Sequence, residues 1–150
     1  MSYQFPAPKT KRAPEQADQR IGRLLSTPDE KLPTIIQGEG VDSKEEARAA
    51  IALEILGWSY VFHAKYFGGQ RVPGGMVIDL LALTPVAWTP IWVNGLYWHR
   101  VRTNTRDIEF FQRSRLARLP NLAQPVEVWD YELQTIDQAV RTLAKYLGRA

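Results

Sequence analysis

The chain has 150 residues, 45% hydrophobic and 23% charged, which suits one domain with a single core and is too short for two full ones. There is no cysteine, which excludes disulfides, thiolate metal sites and cysteine nucleophiles, and the two histidines, His63 and His99, leave little for a histidine-rich metal centre. No stretch approaches the roughly 18 consecutive apolar residues of a membrane-spanning helix, and the N-terminus carries no apolar signal core, so neither a membrane location nor secretion by a signal peptide is expected.

The formal charge of +3 permits nucleic acid as a partner without demanding it. It is unevenly placed. Residues 1–42 are neutral overall, with six basic and six acidic side chains. Residues 100–120 carry Arg100, Arg102, Arg106, Arg113, Arg115 and Arg118 against Asp107 and Glu109, a net +4. Arginine suits bidentate contact with phosphate better than lysine does, so these six are the candidate nucleic-acid contacts. A solvated helix face is the plainer alternative.

Residues 1–42 read as an extended arm. Pro6, Pro8, Pro14, Pro28 and Pro33 interrupt any long helix, because proline lacks the amide donor and clashes with the preceding turn. One short helix over Glu15 to Leu25 is compatible with the apolar stripe of Ile21, Leu24 and Leu25. An arm of this kind suits docking on neighbouring subunits.

The core domain is expected over 43–150. Ser43-Lys44-Glu45-Glu46 has the spacing of a capping box and opens a helix that ends at Gly57. Its Ala, Ile and Leu content on several sides predicts a well-buried helix. Trp58 to Phe67 alternates and is rich in aromatic residues, as a strand would be. Gly68-Gly69 and Pro73-Gly74-Gly75 mark a turn. Met76 to Leu83 is apolar on both faces and predicts a central strand. A loop over Thr84 to Pro90 and a third strand over Ile91 to Trp98 follow. A second helix over Thr105 to Leu119 ends at Pro120, a fourth strand covers Val126 to Tyr131, and a final helix runs from Ile136 to Leu147. The expected fold is therefore α/β: a central mixed four-stranded sheet flanked by helices in the order α-β-β-β-α-β-α, preceded by the arm.

Asp79 is the first chemical candidate. Its neighbours on the same strand face are Val77 and Leu81, and a carboxylate among apolar side chains costs several kcal/mol unless paired or metal-bound. Glu46 is the second, although its place in the capping box already explains it. Glu54 lies near the apolar face of the same helix. His99 closes the third strand after Tyr97-Trp98, where a hydrogen bond to backbone would also account for it. His63 shares a strand face with Lys65 and reads as ordinary surface. No GxxxxGK[ST] or GxGxxG phosphate motif and no zinc pattern is present.

A helix opening Ser-x-x-Glu, then Gly-Gly, then Gly-Gly-Met-Val-Ile-Asp-Leu-Leu, then Ile-Trp-Val-Asn-Gly-Leu-Tyr-Trp-His resembles the PD-(D/E)XK restriction-endonuclease-like superfamily. The nearest branch by this pattern is the very-short-patch-repair endonucleases and their small relatives in phages and mobile elements. The resemblance covers about residues 43–147 and leaves out the arm; Gly74 to Leu81 and Gly95 to His99 anchor it. It implies a restriction-endonuclease-like core, with Asp79 as the metal-binding strand aspartate, Glu46 as the assisting helix glutamate and His99 as an assisting histidine. Trp92, Val93 and Asn94 stand where the second carboxylate and the lysine belong, and Asn94 where the repair branch has another histidine. One carboxylate with waters holds Mg²⁺ weakly, and loss of a general base costs about 10²–10⁴ in rate.

The expectation from this departure is a catalytically degenerate nuclease fold acting as a structural, assembly or adaptor component, as in a phage capsid, neck or tail. It would contact other protein subunits through the arm, with DNA as a further contact, in the virion or cytoplasm; no efficient enzyme and no cofactor is expected. The alternative is a Mg²⁺-dependent DNA endonuclease of the very-short-patch-repair type, built on Glu46, Asp79 and His99.

Overall fold

The computed structural model describes residues 17–66, 69, 75–85, 87–95 and 119–150. The expected second helix over Thr105 to Leu119, the six arginines, His99 and the end of the third strand beyond Gly95 lie outside the described residues, Leu119 excepted. The chain divides into two compact units, Met1–Lys31 and Leu32–Ala150. The first contains helix α1 (Ala17–Leu25), within the span expected from its apolar stripe, and one turn of 3₁₀-helix over Asp29–Lys31.

The second unit begins earlier than residue 43. Leu32 and Ile36 are buried, and Ile35–Ile36 (β1) pairs with Glu39–Gly40 (β2) in a two-residue hairpin. Gln37 and Gly38 both have positive φ, 52° and 79°, which is the backbone of a type I′ turn. The arm expected over 1–42 is thus divided: residues 32–42 pack as part of the core.

Helix α2 (Lys44–Leu56) starts as its sequence dictates. Ser43 is extended, and its Oγ accepts from the Glu46 amide at 3.1 Å. The helix ends at Gly57, which adopts φ 88°. There the Gly57 amide donates to the Glu54 carbonyl and the Trp58 amide to the Leu53 carbonyl, the paired bonds of a Schellman motif. α2 is buried on nearly every side because it packs on β3, β4 and α3. Its Arg48, also buried, donates from Nη1 to the Leu133 carbonyl at 3.0 Å.

The sheet runs β3 (Ser59–Tyr66), β4 (Met76–Leu83), β5 (Trp88–Asn94) and β6 (Val126–Trp129) in that spatial order. The first three are antiparallel, and β6 is parallel to β5. β4 is central, as its two apolar faces require. Phe62, Ala64, Ile78, Leu80, Ile91 and Val128 are fully or nearly fully buried. The protein is thus α/β, with a mixed four-stranded sheet flanked by helices. No helix among the described residues is long and apolar enough to cross a membrane.

Two strand boundaries differ from expectation. β5 begins at Trp88, inside the segment read as loop, although it contains Pro90. Pairing on the β6 side breaks between the isolated Trp88–Leu122 bridge and the Ile91–Val126 pair, so the missing proline donor falls in that gap. β6 ends at Trp129 rather than Tyr131, because Asp130–Glu132 coils into a 3₁₀ turn in which Glu132 Oε1 accepts from the Trp129 amide at 3.1 Å. Helix α3 (Ile136–Leu147) is capped by Thr135, whose side chain accepts from the Gln138 amide at 3.0 Å.

Candidate functional site

The antiparallel ladder between β4 and β5 stops at the Leu80–Ile91 pair, while β5 continues along β6 as far as Asn94. Asp79 lies just past the point where the two strands part. Its Oδ2 accepts from the Val93 amide at 2.7 Å, so a side chain replaces the broken ladder. Val93 belongs to the stretch where the resemblance calls for a second carboxylate or a lysine; it contributes its backbone N–H instead.

Glu46, in the first turn of α2, lies close enough to Asp79 for its negative charge to act on that carboxyl. Two adjacent carboxylates cannot both ionise without a counter-charge. Burial pushes the Asp79 carboxyl up to about 8, the negative charges of Glu46 and Asp42 push it the same way, and the Val93 N–H opposes them. Glu46 also completes its cap: Oε1 accepts from the Asp42 amide at 3.0 Å, one residue before the N-cap. One buried side chain therefore serves helix start and site together.

His63 is the residue that sequence reasoning placed on ordinary surface. The flanking pairs Phe62–Leu80 and Ala64–Ile78 put it directly opposite Asp79 across the β3–β4 ladder. Its ring stacks on Phe62 with centroids 4.0 Å apart, and only 10% of its side chain is exposed. Nε2 lies 3.2 and 3.1 Å from the two Glu46 carboxylate oxygens and 3.8 Å from Asp42 Oδ2. On the other side of the ring, Nδ1 lies 3.9 Å from Glu39 Oε1. Glu39 in turn pairs with Lys65 at 3.2 Å. His63 takes φ 53°, a left-handed conformation rare for a residue inside a strand. The hairpin β1–β2 and the link to α2 supply Glu39 and Asp42, so the segment read as an arm forms one wall of the site.

The other candidates are placed elsewhere or lie outside the described residues. Asn94 donates from Nδ2 to Glu127 Oε1 at 3.0 Å, toward β6. Trp92 packs against the apolar cluster of Ala64, Met76, Ile78 and Leu81. Glu54 lies eight residues from Glu46, about 12 Å along the helix, where its charge adds to the burial that pushes the Tyr60 hydroxyl up to about 12. His99 and Arg100, Arg102, Arg106, Arg113, Arg115 and Arg118 are outside the described residues.

The donor chemistry fits a divalent cation. Asp42, Glu46 and His63 each offer a ligand atom, all within 4.8 Å of one another, and the Asp79 carboxyl is near enough to feel the Glu46 and Asp42 charges. Carboxylate-rich sets suit hard cations, and an imidazole extends the range to first-row transition ions. No family model matches the chain, and neither the curated proteins nor the solved structures give a match.

Proposed function

We propose that the protein is a divalent-cation-dependent phosphodiester hydrolase acting on DNA, the alternative form of the restriction-endonuclease-like reading. The observation that carries it is the Glu46–Asp79 carboxyl pair, seated where β4 and β5 separate. A helix and a strand bring two carboxyl groups together in a partly buried position, an arrangement costly for a purely structural core. A Mg²⁺ ion bound there would polarise a phosphoryl oxygen and lower the pKa of a bound water.

The chain's own groups serve that chemistry in distinct ways. Glu46 is held by the Asp42 amide and by His63, so its carboxylate has a fixed aim. Asp79 is held by the Val93 amide. Lys65, two residues beyond His63 and on the same strand face, offers a cation for phosphate contact and is paired with Glu39 in this state. The arginine-rich stretch over 100–118 would add sequence-independent phosphate contacts. The general-base role that Trp92-Val93-Asn94 leaves unfilled would fall to the His63 imidazole or the Glu46 carboxylate, which contact each other.

The test is a cleavage assay on supercoiled plasmid and on mismatched duplex, with Mg²⁺ and with Mn²⁺, comparing the native chain with Asp79→Ala. Metal-dependent nicking that disappears in the variant supports the hydrolase. Equal, background-level cleavage by both would return the protein to the scaffold reading, in which a decayed site leaves the surface and the N-terminal segment to carry assembly contacts.

A further inference from the structure

We infer that Asp42, Glu46 and His63 form a binding site for a first-row divalent transition ion of the Mn²⁺–Co²⁺–Zn²⁺ class, distinct from a Mg²⁺ position on Asp79. The two sets share only Glu46, and in that respect the inference rests on the proposed catalytic pair.

Three observations lead to it. The first is geometry. The ligand atoms come from the strand β3, from the first turn of α2 and from the residue just before its cap, all within 4.8 Å of one another. Metal–ligand bonds of about 2.0–2.2 Å place neighbouring donors about 3–4 Å apart. The His63–Glu46 and His63–Asp42 separations, 3.1 and 3.8 Å, already lie in that range.

The second is the surroundings of the imidazole. A metal-bound histidine commonly presents its other ring nitrogen to a carboxylate, which sets its orientation. Nε2 of His63 faces Glu46 and Asp42, while Nδ1 faces Glu39 at 3.9 Å. Glu39 is itself tethered by Lys65 at 3.2 Å. The ring is also clamped against Phe62 and is nearly buried, so it is held in place before any ion arrives.

The third is access. The Glu46 side chain is 5% exposed and that of Asp42 is 82% exposed. The site is thus anchored on a buried carboxylate and open to solvent on the Asp42 side, leaving coordination positions for water or a phosphate oxygen. Two carboxylates with one imidazole favour a transition ion over Mg²⁺, which prefers an all-oxygen shell.

Calorimetry and the visible absorption of Co²⁺, both with the full chain and no DNA, test the site apart from cleavage. The native protein should bind one Co²⁺ with the absorption of a nitrogen-containing shell, and Mn²⁺ should compete for it at lower concentration than Mg²⁺. His63→Gln and Asp42→Asn should each weaken Co²⁺ binding by about tenfold or more, and Glu39→Gln by a similar factor through the ring orientation. Asp42 is exposed, so its variant keeps the fold and decides the matter even where His63→Gln does not fold. Asp79→Asn should keep Co²⁺ binding while losing any cleavage, which separates this site from the proposed activity. Co²⁺ binding unchanged by Asp42→Asn in a folded protein, or absent from the native chain, would overturn the inference. So would Mg²⁺ competing as well as Mn²⁺.

Discussion

His63 and Asp79 hold facing positions on β3 and β4, between the Phe62–Leu80 and Ala64–Ile78 pairs; the His63 ring contacts the Glu46 carboxylate, whose charge also acts on Asp79. Nothing in the chain order suggests this, since the three residues come from different elements. The ladder register alone sets the two positions opposite each other, and α2 then brings the Glu46 carboxylate to the His63 ring.

Replacing Asp79 with Asn separates stability from activity. The amide oxygen can still accept from the Val93 amide, while the ionisable, desolvated carboxyl is gone. The variant should be more stable than the native chain in the absence of metal, by about 1 kcal/mol near pH 8. Metal-dependent cleavage should fall by about 10²-fold or more. Thermal unfolding in chelator, together with plasmid nicking, measures the two effects.

The same carboxyl gives stability a pH dependence of definite sign. It titrates near 3.8 when unperturbed and is pushed up to about 8 in the folded chain, first by burial and then by Glu46 and Asp42. Between these values the unfolded chain has lost a proton that the folded chain keeps. The contribution is therefore fully present below the lower value and is lost as pH rises toward the upper one. The difference in melting temperature between the native chain and Asp79→Asn, taken in chelator, should shift steadily in favour of the variant from pH 4 to pH 8. A difference that stays flat, or that reverses, would show that the fold does not hold the Asp79 carboxyl protonated.

Gln37 guards the open edge of the sheet. Its amide group accepts from the Phe62 amide at 2.8 Å and donates to the Tyr60 carbonyl at 2.9 Å, as a neighbouring strand would. Gln37→Asn keeps a residue that tolerates positive φ in the type I′ turn but is one methylene too short to bridge. The change should cost about 1 kcal/mol and raise the tendency to associate through the exposed β3 edge. Urea unfolding and light scattering at matched concentration report the two outcomes.

Gly57 closes α2 at φ 88°, and an added Cβ there would also stand 3.2 Å from the Ala150 Cβ. The Ala150 amide donates to the Leu56 carbonyl at 2.9 Å, so the C-terminus packs against this cap. Gly57→Ala should destabilise the fold by about 1 kcal/mol from the left-handed backbone alone. The loss should appear in the unfolding midpoint with little change in the denaturant slope.

Local signals settled much of this molecule in advance. The Ser43 cap on the Glu46 amide, the glycine stop at Gly57, the central strand Met76–Leu83 and the last helix Ile136–Leu147 were all legible, while the Glu46 carboxylate reaches back to the Asp42 amide and not to that of Ser43. Each depends on residues a few positions apart, through hydrogen bonds, periodicity or backbone conformation. Asp79 stood out as well, because a carboxyl between Val77 and Leu81 is chemically out of place in any strand.

The tertiary structure decided the rest. His63 looked like surface because its neighbours in sequence are unremarkable; its partners are set by register with β4 and by the position of α2. Glu39 and Asp42 lay within a proline-containing segment that reads as extended chain, yet burial of Leu32 and Ile36 and the hold of Gln37 on β3 fold that segment into the wall of the site. Pro90 marked a loop until the gap in β6 pairing let it sit inside a strand. These outcomes depend on which strand edges meet and where a ladder breaks. Those are long-range choices, made by burial of the whole core, and no window of neighbouring residues contains them.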